Sequence, residues 1–165
     1  MTRNTAERYA VGVFNLSAQM RAAREALSQA GYHGCRMNLL GCTTLGELTG
    51  SSERGNLQDR FVQPFQQNDN TIYCSAGNLA ERLQDGGALD LEEALQTWMV
   101  PRQAARLASD VRIGCLLLWI EVRSPQEEQS ACEVLLNSAP LRVKVHDLKA
   151  LVVNPRASSH SPAMR

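Results

Sequence analysis

A histidine followed by a carboxylate, His146-Asp147, stands where the alternating segment Leu141-Arg-Val-Lys-Val145 runs out. Imidazole exchanges protons near neutral pH, and an adjacent carboxylate can orient it, so the pair could position a ligand or work as acid and base. A surface pair or a turn-former is the plainer account of the same two residues. Trp98 and Trp119 could line an apolar ligand pocket. With only 3 Phe, 2 Trp and 3 Tyr in the chain, their simpler use is to anchor the core. Trp98, Trp119, His146 and Asp147 are the candidate ligand-binding residues.

Other chemistry-bearing residues fall short of a reaction. Cys74 precedes the small-residue turn Ser75-Ala-Gly-Asn78, where a helix N-terminus could stabilise a thiolate, and His146 could serve as its base. A cysteine ending a short strand explains the position as well. His33, Cys35 and Cys42 have ligand types suited to zinc, but there is no Cys-x-x-Cys and no clear fourth ligand. Gly86-Gly87 lacks the pattern of a phosphate loop and reads as a helix stop. Glu92-Glu93 and Glu127-Glu128 lie in first helical turns, where acids complement the helix dipole. No catalytic residue, metal site or cofactor is expected.

The elements that must position these residues form a repeated phrase. Tyr9–Phe14 reads as a strand, Asn15 as a helix cap, and Leu16, Met20, Ala23, Leu27 and Ala30 as one helical face. Gly31 suits the helix stop, and a second strand follows over Cys35–Leu40. The second copy runs from the strand Cys115–Val122 through Ser124-Pro125-Gln126-Glu127, a capping box with proline at the first helical position. Its helix reaches Leu136, with Ala131, Cys132, Leu135 and Leu136 as the apolar face, and a strand begins at Leu141. In that last strand Leu141, Val143 and Val145 point inward, while Arg142, Lys144 and His146 form a wet face. Strand starts are 26 positions apart in both copies, 9 to 35 and 115 to 141.

Two such units predict an α+β fold, a ferredoxin-like split β-α-β sheet of four antiparallel strands with both helices on one face. Domain boundaries follow: one α+β domain over 1–153, with β-α-β units at 9–40 and 114–148 and a mostly helical insertion at 41–113. Residues 154–165 read as a disordered tail by composition. Within the insertion, 41–67 reads as a loop or irregular helix, Thr71–Cys74 as a short strand, and Asn78–Gln84 as a brief helix. Asp90-Leu-Glu-Glu93 opens a better helix with Leu91, Ala94, Leu95 and Trp98 buried, and Pro101 opens another that reaches Asp110. Leu116, Leu118, Ile120 and Val122 lie on one face of the central strand, with Leu117 and Trp119 on the other. Both faces therefore need cover, from a second subunit or from the inserted helices.

The opening Tyr9-Ala-Val-Gly-Val-Phe14, with an Ala-rich helix ending Ala30-Gly31-Tyr32, resembles the start of bacterial heat-induced general stress proteins of the YflT type. Gly114–Leu148, with its Leu-Leu-Leu-Trp strand, Pro-Gln-Glu-Glu helix start and Val-Lys-Val-His-Asp-Leu ending, resembles small bacterial proteins of unknown function related to them. The resemblance covers about half of the chain and implies a stress-associated protein with no assigned reaction and no catalytic residues to carry over. A glycine-rich, membrane-like middle segment, frequent in such relatives, is missing.

Composition sets the remaining bounds. Lys+Arg and Asp+Glu balance at 17 each, without the basic excess of a nucleic-acid binder. No apolar run approaches the ~20 residues of a membrane span, and the N-terminal stretch has no apolar signal core. A cytoplasmic location with five free thiols is the expectation. The expected function is a regulatory or stress-associated module without catalysis, homodimeric, acting through self-association or partner binding. The alternatives are a small dimeric enzyme of the monooxygenase or isomerase type, or a small-molecule sensor with a pocket between sheet and insertion. A closed apolar pocket with convergent polar groups and a perturbed histidine would favour the enzyme. A solvated cleft at a subunit interface would favour the sensor, and a filled core the structural module.

Overall fold

A computed structural model describes residues 6–33, 36–42, 61–67, 70–85 and 87–149. In chain order they form β1 (Glu7–Phe14), α1 (Ser17–Gln29), β2 (Met37–Gly41), β3 (Phe61–Gln67), β4 (Asn70–Ser75) and α2 (Asn78–Asp85). There follow α3 (Leu91–Gln96), α4 (Pro101–Arg112), β5 (Leu116–Val122), α5 (Pro125–Leu136) and β6 (Arg142–Leu148). The strands make one open, antiparallel six-stranded sheet in the order β3-β4-β2-β5-β1-β6.

β5 holds the interior because its sequence is apolar on both faces. Leu116, Leu118, Ile120 and Val122 pack with Ala10, Phe14 and Leu39 under α1 and α5, where Met20, Ala23, Leu27, Ala131 and Leu135 are buried. Leu117 and Trp119 point the other way, with Tyr9, Val11 and Val13, into a second core supplied by α2, α3 and α4. The inserted helices thus cover the face left open by α1 and α5, and that face no longer requires a second subunit.

Local signals explain where the elements stop. After α1, Gly31 adopts φ +105, the Tyr32 N–H donates to the Leu27 carbonyl at 3.0 Å, and the Gly31 N–H to that of Ser28 at 3.1 Å. After α4 the same motif recurs: Gly114 has φ +99 and the Cys115 N–H donates to the Asp110 carbonyl at 2.9 Å. The Ser124 side chain accepts from the Glu127 N–H at 3.1 Å, and Glu127 Oε1 accepts from the Arg123 N–H at 2.8 Å, a variant of the capping box in which the carboxylate reaches the residue before the cap. Asp90 caps α3 through the Glu93 N–H at 2.8 Å.

Several expectations are corrected. The residue preceding α1 is Leu16, not Asn15, and it makes no side-chain cap; Leu16 is 54% exposed because it lies outside the helix. Phe61–Gln67 is an edge strand rather than loop, tolerating Pro64 at a register shift between Val62 and Phe65. The insertion therefore supplies a hairpin as well as helices, and the sheet has six strands instead of four. His146 is buried, not on a wet face, because α4 packs over that side of β6. Leu136 is 60% exposed, leaving Ala131 and Leu135 to seat α5. The tail at 154–165 lies outside the described residues. Among the described residues no helix is long and apolar enough to cross a membrane.

Candidate functional site

Among the described residues β6 is paired only to β1, and residues facing each other across this pair share a side of the sheet. Val13 lies beside Arg142, Val11 beside Lys144 and Tyr9 beside His146. Helix α4 lies over this margin and offers Gln103, Arg106, Leu107 and Asp110, the i, i+3, i+4, i+7 positions of one helical face. Two of its polar residues find partners on β6. The His146 Nδ1 and Gln103 Oε1 are 3.0 Å apart, and Asp110 forms an ion pair with Arg142. Helix and strand therefore meet as a ladder, with Gln103–His146 at one end and Asp110–Arg142 at the other.

Between those two rungs stand Arg106 from the helix and Lys144 from the strand, both exposed and neither ion-paired among the described residues. Here the ladder fails to close. A cleft with a cavity volume of about 120 Å³ opens, floored by Val11, Val13 and Leu107 and walled by the polar residues of both elements. At about 30 Å³ per molecule of liquid water, that is room for roughly four waters or one small solute.

The electrostatics of the cleft are cationic. Burial, and then the neighbouring charge of Arg106, lower the pKa of Arg142. Burial and then Lys144 push His146 down to about 4, against a smaller opposing pull from Asp147. His146 is thus neutral at pH 7. Its Nδ1 faces the side-chain amide of Gln103, and the orientation of that amide sets which ring nitrogen carries the hydrogen. The other nitrogen, Nε2, is buried without a hydrogen-bond partner, as is the indole Nε1 of Trp119, whose ring centroid lies 6.4 Å from that of His146. Trp119 is itself fixed by an edge-to-face contact with Tyr9 at 6.2 Å.

The four residues expected from the sequence are divided. Trp119 and His146 come together on the insertion side of the sheet. Trp98 belongs to the same core but does not line the cleft: the guanidinium of Arg82 lies 5.6 Å from the centre of its ring, and its carbonyl accepts from the Lys149 N–H at 2.8 Å. Asp147 points to the opposite face, where Arg8 donates to both its oxygens at 2.9 and 3.1 Å. His146 and Asp147 therefore do not act as a pair, because neighbours in a strand face opposite ways. Gln103, Arg106, Asp110, Arg142 and Lys144 were missed as site residues. Their signal was the helical spacing of 103, 106 and 110 against the alternate positions 142, 144 and 146.

The proposed Cys74–His146 pair is excluded by topology. Cys74 on β4 is separated from β6 by four strand spacings, about 19 Å at ~4.8 Å each. Burial also pushes its thiol up to about 12, the reverse of what a nucleophile requires. Cys35 lies outside the described residues, and among those described no three His, Cys, Asp or Glu side chains converge to hold a metal. Cys42, Cys74, Cys115 and Cys132 are free thiols.

A second buried constellation is structural. Arg82, 4% exposed, donates to Glu7 Oε2 at 2.7 Å and to the Lys149 carbonyl at 3.3 Å. Glu7 also accepts from the Tyr9 hydroxyl at 3.3 Å. These contacts fasten α2 to the start of β1 and the end of β6.

No family model, curated protein or solved structure matches this chain.

Proposed function

We propose that this protein is a regulatory module that binds a small anionic metabolite in the cleft between α4 and the β1–β6 margin. The scaffold, on this reading, is the ferredoxin-like split β-α-β unit formed by β1, α1, β2, β5, α5 and β6. Its support is the strand order β6-β1-β5-β2 with α1 and α5 packed on one face. The hairpin β3–β4 extends that sheet, and α2–α4 turn its second face into one wall of a binding site. A regulatory role resting on a stress-protein likeness has only the residues quoted for it, so the cleft carries the functional reading.

The single observation behind it is the open middle of the α4–β6 ladder, where Arg106 and Lys144 flank an apolar floor of Val11, Val13 and Leu107. Convergent polar groups around a perturbed histidine are also what an enzyme pocket would show, but the direction of the perturbation favours binding. A general base working near neutrality needs a pKa near the operating pH, and a histidine near 4 is a weak one. A neutral, buried imidazole is better suited to orienting a ligand than to removing its proton.

The test is a thermal-shift screen with small anionic, neutral and cationic metabolites. A ligand at about ten times its Kd stabilises by about 1.4 kcal/mol, which raises Tm by roughly 3–6 °C in a chain of this size. Anions are expected to supply the stabilising compounds. Failure of every compound to shift Tm would refute the reading.

A further inference from the structure

The segment inserted between β2 and β5 is bracketed by two cysteines. Cys42 follows the last residue of β2, and Cys115 precedes the first residue of β5. The two strands pair antiparallel from Met37 beside Ile120 to Gly41 beside Leu116. The next position of the same register sets Cys42 opposite Cys115. Alternation of sides carries through that position on both chains. Leu39, Leu116 and Leu118 belong to the core under α1 and α5. Leu40, Leu117 and Cys115 belong to the core under the inserted helices, and Cys42 packs against that same core. Two thiols thus leave the sheet on one side, from facing positions of neighbouring chains.

Ladder geometry decides which thiols can join. Directly opposed residues have Cα atoms about 4.5 or 5.5 Å apart, within the roughly 4.4–6.8 Å that a disulfide spans. Cys74 lies beside Leu40, one diagonal step from Cys42, and diagonal neighbours are about 7–8 Å apart, at or beyond a disulfide's reach. Cys132 packs against the core on the other face of the sheet. Access divides the pair: Cys42 is half-buried and open to a reagent, whereas Cys115 is only 3% exposed. The first can meet an oxidant and the second can complete the bond. Burial raises both thiols, so exchange here is slower than at an activated thiolate.

We propose that Cys42 and Cys115 form a reversible disulfide that closes the insertion at its two ends, with a low-molecular-weight disulfide as the oxidant. In the first step the Cys42 thiolate attacks one sulfur of the oxidant, forming a mixed disulfide and expelling one small thiolate. In the second, the Cys115 sulfur attacks Cys42 Sγ; the protein S–S bond forms as the mixed one breaks, and the second small thiolate leaves. The two protons lost by the cysteines end on the two small thiols, and the two electrons given up reduce the oxidant. The bridge encloses residues 43–114, and with them β3, β4 and α2–α4, including the helix that walls the cleft. A cross-link limits the freedom of the unfolded chain, and more so the longer the loop it closes. The bridge is independent of whether the cleft binds an anion.

The test treats the reduced full chain with excess oxidised glutathione in native buffer and maps its cysteines by mass spectrometry. Trypsin, cutting after Lys and Arg, places each of the five cysteines in its own peptide, so any bridge is assigned directly. The expected product joins the Cys42 peptide to the Cys115 peptide. Its Tm should lie roughly 4–16 °C above that of the reduced protein, a gain that dithiothreitol reverses. Cys42→Ala, at a half-buried position, should keep the fold and show no such rise on oxidation. Cys115→Ala should stop at glutathione bound to Cys42. A bridge between any other two cysteines overturns the register argument, as does a wild-type chain that stays reduced or stops at the mixed disulfide. A Cys42–Cys115 bridge that leaves Tm unchanged or lower overturns the closing of the insertion.

Discussion

Acidification should unfold this protein through His146 more than through an average histidine, and the size of the effect can be worked out. In the unfolded chain the imidazole takes a proton near pH 6.5; in the folded protein it resists until about pH 4. Between those values the unfolded state binds more protons than the native state, so stability falls as pH falls. The contribution is fully present above about pH 6.5 and is used up at about pH 4. From about pH 7 to about pH 4.5, linkage between these two pKa values gives a loss of about 2.4 kcal/mol, which water at the cleft mouth reduces to roughly 1–2 kcal/mol. The groups around the ring account for the direction: burial first, then Lys144 on the same strand, with Asp147 on the far face opposing. Carboxylates elsewhere also titrate in this range, so the assay compares wild type with His146→Leu. Urea unfolding of both proteins at several pH values should give lines that diverge by roughly 1–2 kcal/mol, wild type losing more on acidification. A directly measured His146 pKa well below the ordinary histidine value of about 6.5 should accompany the divergence. Parallel stability curves, or a His146 resonance titrating near pH 6.5, would refute the burial and charge argument together.

Three further predictions follow from particular contacts. Gly12→Ala should cost about 1–3 kcal/mol in urea unfolding, because an added Cβ would lie 2.9 Å from both Leu135 Cδ2 and Phe14 Cε2, side chains that are themselves fully buried. An unchanged midpoint would show that these two ends can move aside freely. Cys74, with no exposed surface and its thiol pushed up to about 12, should resist a thiol reagent until the protein unfolds, while the half-buried Cys42 reacts sooner; prompt labelling of Cys74 in native buffer would contradict this. Lys144→Glu should place a carboxylate opposite Arg106, raise stability by about 0.2–1 kcal/mol, raise the pKa of His146 and abolish anion binding; an anion affinity equal to wild type would place the binding groups elsewhere.

The second β-α-β unit was readable almost to the residue because its signals are local. Ser124, Pro125 and Glu127 mark the start of α5 by hydrogen bonds within one turn, and the apolar run of β5 admits only an interior strand. The hairpin β3–β4 was half legible. Thr71–Cys74 was recognised as strand, but Phe61–Gln67 was read as loop because glutamines and Pro64 offer little strand propensity. Its strand state comes from pairing with β4, which in turn pairs with β2 at Leu40 and Gly41. The cap of α1 misled for a related reason: Asn15 has the right chemistry, but the helix begins one residue later than that chemistry would require, at Ser17 after Leu16.

The candidate site was the least legible because it depends on two periods meeting. Alternation in β6 correctly sorted Arg142, Lys144 and His146 to one side, yet whether that side meets water or a helix is decided some forty positions upstream, by α4. A helix presents a residue to one face about every 5 Å of its length and a strand about every 7 Å, so polar side chains along such a contact cannot all come into register. In this ladder the ends register and the middle does not. Gln103 reaches His146 and Asp110 reaches Arg142, which leaves Arg106 and Lys144 facing a gap that neither can fill. Had the middle residues been apolar, the margin would have closed as the neighbouring core closes around Ala104, Leu107, Ala108 and Val111. Two exposed cations line that point instead, and on the proposed reading an anion would sit between them.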